Sequence, residues 1–328
     1  RDGGRNAPEL VLALARSGNL EDAAHQLSPD EIKAMITRIQ ANGHPARGEQ
    51  VYRRPELACV TCHAIGGVGG KVGPDMTSIG TSAQIDYLIE SLLYPNRKVK
   101  EGYHSLVVET SDGQEFSGVP VRETDTEVII RNAANQEVAI AKNNIDLQTI
   151  GGSIMPSGLI DGLAVAEQID LFRFLSELGK PGAYDASKGN VARLWRLFPF
   201  TIDAAQFGDE GVLKLGLQDR GWNAALTRVD GNLERTAFEA TLKARADRAP
   251  SAVYAAAEFE TADAGTVRFT FSESERLATW VDGKPVPLTA EASVELPAGR
   301  HRVVAKFSNE RLPESFRLEI SNGSFVTQ

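Results

Sequence analysis

Two kinds of hydrophobic spacing divide this chain. Where apolar residues recur every three or four positions, helices are expected. Ser28-Pro29-Asp30-Glu31 is a helix start: Ser28 caps, Pro29 occupies the first turn and Glu31 reaches back in a capping box. Ile32, Met35, Ile36 and Ile39 then share one face. Ile85, Leu88, Ile89, Leu92 and Leu93 do the same in a helix capped by Ser82 and ended by Pro95-Asn96. Ala166–Gly179 reads as a third helix, and Leu10, Leu12, Leu14 and Leu20 belong to one near the start.

Between Gly102 and Gly151 the period changes to two. Strands are expected at His104–Thr110, Glu115–Arg122, Glu127–Arg131, Glu137–Ala141 and Asp146–Ile150, with turns at Asp112-Gly113 and Ala134-Asn135. Five short strands in this space suggest a small barrel of SH3 or Sm type, inserted into a helical domain. After a linker at Tyr184–Asn190 the pattern is again mostly β. Strands are expected at Val212–Leu217, Ala224–Val229, Val253–Glu260, Thr266–Ser272, Thr279–Val281, Ser293–Leu296 and Arg302–Phe307. Turns fall at Asp230-Gly231 and Asp282-Gly283, and Val267, Phe269 and Phe271 face one way. This spacing suggests a β-sandwich of jelly-roll type.

The expected organisation is therefore multidomain α plus β: a helical N-terminal segment over 1–45, a helical domain over 46–182 with the small β-barrel at 102–151, and a β-sandwich over 183–328. A length of 328 residues suits two or three domains. The formal net charge of −9 argues against a nucleic-acid partner. No run of eighteen apolar residues is present, so no membrane span is expected. The chain opens at Arg1 on a polar stretch with no signal peptide, which fits a processed protein or an excised piece.

The candidate chemistry lies in Cys59-Val60-Thr61-Cys62-His63, which holds both cysteines of the chain. The spacing is that of covalent haem c attachment. Each thiol can add to a haem vinyl group, and His63 can ligate iron as the proximal ligand. A redox dithiol usually follows a strand and opens a helix, and no strand is expected before Cys59. Zinc needs four ligands, and no second ligand pair at regular spacing is present. Downstream, the glycines of Gly66-Gly67-Val68-Gly69-Gly70-Lys71-Val72-Gly73-Pro74 allow backbone to lie close to a flat ring, and Pro74 supplies a rigid apolar surface.

From about Gly48 to Gly179 the chain resembles the bacterial haem-binding cytochrome c domain family, a variant of class I cytochromes c found in large multidomain proteins. The matching residues are the site Cys59–His63, the segment Val72–Gly80, the helix Ile85–Asn96, the strand start Gly102–Gly113, the loop Ser153–Leu159 and the helix Ala166–Gly179. The resemblance implies a class I cytochrome c-like helical haem domain, one covalently attached haem c with its iron, and a periplasmic or otherwise exported location. It also implies electron transfer with a redox partner protein, such as a dehydrogenase domain; the residues of the chain itself offer little for catalysis.

The sixth iron ligand is expected to be Met155, which precedes the last helix where class I cytochromes carry their axial thioether. His104 and an open position are the rivals. Of the other methionines, Met35 and Met76 read as packing residues. Expected cofactor-binding residues are thus Cys59, Cys62, His63, Pro74 and Met155, with His63 and Met155 on the metal. Lys71, Arg97, Lys98 and Lys100 form either a positive rim that steers an acidic partner or an ordinary solvated surface.

Leu296–His301 faintly resembles a turn of PA14-like or galactose-binding-like modules. A carbohydrate partner, with Trp195, Trp222 and Trp280 as contacts, is the alternative reading, against core roles for the three rings. A ligand-binding haem sensor is another. No Ser-His-Asp order, Walker loop or post-strand GxGxxG is present.

Overall fold

The computed structural model describes residues 26–201, 204–248, 250–273, 278–287 and 290–327. The expected helix at Leu10–Leu20 lies outside these residues. The contacts divide the chain into two compact units, one of residues 1–64 and 69–178, the other of residues 65–68 and 179–328.

In the first unit, α1 (Pro29–Asn42) begins with the reciprocal Ser28–Glu31 capping box: Glu31 N–H donates to Ser28 Oγ and Ser28 N–H to a Glu31 carboxylate oxygen. Gly43 and Pro45 separate it from α2 (Pro45–Tyr52), and Pro55 opens a turn that leads to α3 (Cys59–Cys62). Next come α4 (Ile79–Ser82) and α5 (Ile85–Leu93), and after the sheet, α6 (Val165–Glu177). The helix expected behind Ser82 starts later, with Gln84 as its cap residue, because Ser82 closes the short α4.

Helices α2 and α6 pack closely. At Gly48 a β-carbon would lie 1.9 Å from the Asp170 carbonyl oxygen, so only glycine permits this approach. The Tyr52 and Phe174 rings meet with centroids 5.4 Å apart. Asp170, nearly buried, accepts from the His44 backbone N–H (2.7 Å) and from Arg47 Nε (2.6 Å), which fixes the start of α2 on α6.

Between α5 and α6 run β1 (His104–Thr110), β2 (Glu115–Glu123), β3 (Glu127–Arg131), β4 (Glu137–Ala141) and β5 (Ile145–Ser153). They form one antiparallel sheet in the order β4-β3-β2-β1-β5. Leu106, Val108, Val128, Ile130 and Ile140 supply its own buried cluster.

The second unit contains β6 (Leu194–Phe200), α7 (Gly208–Lys214), β7 (Asn223–Leu226), α8 (Arg235–Lys243), β8 (Ala252–Thr261), β9 (Gly265–Phe271), β10 (Ala278–Val281), β11 (Lys284–Val286), β12 (Glu291–Leu296), β13 (Gly299–Ser308), β14 (Leu318–Ile320) and β15 (Ser324–Phe325). A seven-stranded sheet has the order β11-β10-β13-β8-β6-β7, with β15 also on β8; a three-stranded sheet has the order β12-β9-β14. Alternation sorts β8 between two cores. Val253, Ala255, Ala257 and Phe259 join Val267, Phe269 and Phe271 of β9, whereas Tyr254 and Ala256 pack with Val212 of α7 and Trp222.

These findings correct the expected fold class. The described residues are mostly β-sheet, 34 % strand against 27 % helix, with eight short helices and several antiparallel sheets among them. It is not a class I cytochrome c-like helical haem domain carrying a β insertion. Glycine and proline punctuate the helical pattern so often that α1, at 14 residues, is the longest described helix, while the strands run to ten. The five strands expected between Gly102 and Gly151 are present, with β4 and β5 at the ends of the pairing order. In the second unit the seven-stranded sheet shares one core with the three-stranded sheet, and α7 with its flanking loop covers its other face.

Candidate functional site

Residue Ala58, in the left-handed region at φ 52°, turns the chain into the single helical turn α3. That turn places Cys59 and Cys62 together, both half-buried and unpaired as thiols. Cys59 Sγ lies 3.6 Å from the Leu57 carbonyl. The loop behind Gly69 then folds back over this turn. Gly70 N–H donates to the Val60 carbonyl (2.9 Å) and Gly73 N–H to the Cys62 carbonyl (2.7 Å). A β-carbon on Gly70 would lie 1.7 Å from the Thr61 carbonyl oxygen, so the loop sits against the turn backbone to backbone.

His63 is held from two sides. Its Nδ1 lies 2.7 Å from the Pro74 carbonyl oxygen. A carbonyl only accepts, so Nδ1 carries the proton and Nε2 keeps its lone pair. Gly73 underlies the ring: a β-carbon there would come within 2.4 Å of Cε1 and 2.8 Å of Nε2. Pro74 therefore acts through its carbonyl oxygen, whereas the sequence suggested an apolar surface.

The electrostatics separate the candidate chemistries. Burial pushes the Cys59 thiol up to about 11 and raises Cys62 as well. A redox dithiol needs the opposite shift. Burial also lowers the pKa of His63, opposed by its hydrogen bond to Pro74, which keeps the imidazole neutral and able to ligate. Among the described residues, no group of three or more His, Cys, Asp or Glu side chains converges to hold a metal ion. A zinc site would need such convergence. Two thiols on one helical turn beside an imidazole of fixed tautomer would suit a covalently held haem, with Cys59 and Cys62 on the porphyrin and His63 on the iron.

Met155 lies in the loop between β5 and α6, half-buried, with its N–H donating to Ser153 Oγ (3.1 Å). His104, exposed at the start of β1, is the cross-strand partner of Ser153. The sheet thus brings both candidate sixth ligands to one of its ends. Asn96 fixes that end, because Ser153 N–H donates to its Oδ1 (2.8 Å). The described hydrogen bonds place neither side chain on His63. Met76 is buried, with its N–H on the Ala64 carbonyl, as a packing residue.

Of the cationic group, Arg97 and Lys98 both pair with Glu90, at 3.3 and 2.7 Å, and Lys71 is exposed. Trp195 is fully buried and Trp222 is 9 % exposed, while Trp280 packs half-buried against Tyr254. These are the positions of core rings. No described helix is long and apolar enough to cross a membrane.

Sequence reasoning placed Gly73 in a glycine-rich run against a flat ring, and the structure puts it under the His63 imidazole. It passed over Gly48 and Asp170, which are more than a hundred residues apart and left no local signal. Comparison with models of protein families and with curated proteins gave no match.

Proposed function

We propose that this chain is a mono-haem c-type protein that transfers electrons, with haem held through thioethers to Cys59 and Cys62 and ligated by His63. The observation that carries the proposal is the hydrogen bond from His63 Nδ1–H to the Pro74 carbonyl at 2.7 Å, beside two unpaired thiols on one turn. It orients the ring, leaves Nε2 as the donor atom and raises its basicity. Gly73 gives the imidazole a flat floor. When bound, the haem supplies a one-electron ferric/ferrous couple. Met155 is the proposed sixth ligand, a soft neutral donor that favours the ferrous state. The motif-level resemblance supports an exported location and a redox partner protein, with a dehydrogenase as the electron source.

The test is maturation of the chain in an exported compartment with c-type haem assembly. The denatured product is expected to keep its pigment in acidified organic solvent and to gain the mass of one haem. Replacing both cysteines by alanine should abolish both properties. A native chain that stays colourless, or that releases its pigment, overturns the proposal.

A further inference from the structure

A hydrogen bond connects the five-stranded sheet to the loop that fixes His63. The turn between β3 and β4 is rigidly built: Asn132 Oδ1 accepts the N–H groups of Ala134 and Gln136, both at 3.0 Å, and its carbonyl accepts from Asn135 N–H at 2.9 Å. Asn135 sits in the left-handed region at φ 62°, a conformation that asparagine tolerates. Its Oδ1 accepts the backbone N–H of Lys71 at 2.9 Å, and Arg131 Nη1 lies 3.4 Å from the same oxygen. Lys71 is the residue after Gly70, whose N–H is on Val60, and two before Gly73, which underlies His63.

We propose that Asn135 is a positioning residue for the proximal imidazole, and that the five-stranded sheet serves as a strut for the loop Gly69–Pro74. The connection runs from the Asn135 amide to the Lys71 backbone, along the loop to the Pro74 carbonyl, and from there to His63 Nδ1. The consequence for the haem rests on the function proposed above; the strut itself does not. With the strut in place the Pro74 carbonyl stays on the ring and keeps the donor nitrogen electron-rich, which favours ferric iron. When the loop loosens, that hydrogen bond weakens and the reduction potential rises.

Two variants separate the roles. Asn135→Gly keeps the left-handed turn and removes the acceptor; Asn135→Asp restores an acceptor. In the haem-free chain, hydrogen exchange of the Lys71 amide followed by NMR should quicken about tenfold in Asn135→Gly, the scale of one lost hydrogen bond. It should return towards the native rate in Asn135→Asp. In the haem-loaded chain, Asn135→Gly should raise the midpoint potential and weaken the His63 Nδ1–H hydrogen bond seen by NMR, and Asn135→Asp should reverse both. Unchanged exchange at Lys71 overturns the strut. Faster exchange with an unchanged potential and Nδ1–H signal overturns its role in positioning His63. Failure of the native chain to take up haem overturns the proposed function alone, because the exchange measurement needs no pigment.

Discussion

Gly48 and Asp170 touch backbone to backbone: a methyl group at residue 48 would stand 1.9 Å from the Asp170 carbonyl oxygen. No rotamer change relieves such a clash, since both partners are main chain. Gly48→Ala should force α2 off α6 and cost about 3 kcal/mol, the upper end for overpacking. Urea unfolding of the haem-free chain measures this. A loss below about 0.5 kcal/mol, within the range of ordinary surface changes, would mean that the two helices separate freely.

Gly73→Ala tests the floor beneath the imidazole. Its added carbon falls within 3 Å of three ring atoms of His63. The ring must tilt or the loop must shift, at a cost of about 1–3 kcal/mol. The expected outcome is a fall in haem incorporation larger than the loss of thermal stability would account for, read from the ratio of pigment to protein after maturation.

Asp170 sets an acid limit on the first unit. Burial alone would raise its pKa, but the hydrogen bonds from Arg47 and from the His44 N–H outweigh it and leave the carboxyl below its ordinary value. A depressed carboxyl pKa contributes stability that is fully present above the unfolded-state value and is lost as pH falls through the folded-state value. Asp170→Asn should cost about 1–2 kcal/mol at neutral pH, the scale of one charged hydrogen bond whose cation is largely solvated. Below the ordinary carboxylate range the variant and the native chain should converge. Denaturant titrations at neutral and acidic pH check the sign.

The sixth ligand is decided by two substitutions in the haem-loaded chain. Met155→Ala should abolish the long-wavelength charge-transfer band of methionine–iron ligation and open the ferrous form to carbon monoxide. His104→Ala should leave both unchanged. The reverse result assigns the position to His104, which shares the same end of the sheet through Ser153.

Strand placement was legible wherever alternation was regular. Glu137–Ala141 runs as its pattern implies, with Val138 and Ile140 turned inward between exposed neighbours, and Glu127–Arg131 does so as a short apolar run in which Val128, Ile129 and Ile130 are all buried. Val212–Leu217 misled: its apolar residues alternate, yet Val212 belongs to helix α7, whose Asp209, Glu210 and Lys214 follow the helix dipole. Strand β6 was hidden by Pro199, which reads as a strand breaker. Helix α8 was hidden by its short length, with only Phe238 and Thr241 buried. The expected helical haem domain failed because local periodicity cannot weigh short helices against the strands between them. At the site, the cysteines, His63 and the glycine-rich loop stood out by spacing. The part played by the Pro74 carbonyl did not, because a backbone acceptor leaves no mark in residue type.

Burial at Cys59 has a practical consequence. With its proton held to about pH 11, on the order of one molecule in ten thousand carries the nucleophilic thiolate at neutral pH. Alkylating reagents and mild oxidants therefore attack it sluggishly. On the function proposed above, joining the Cys59 sulfur to a haem vinyl group would call for a catalyst from outside the polypeptide.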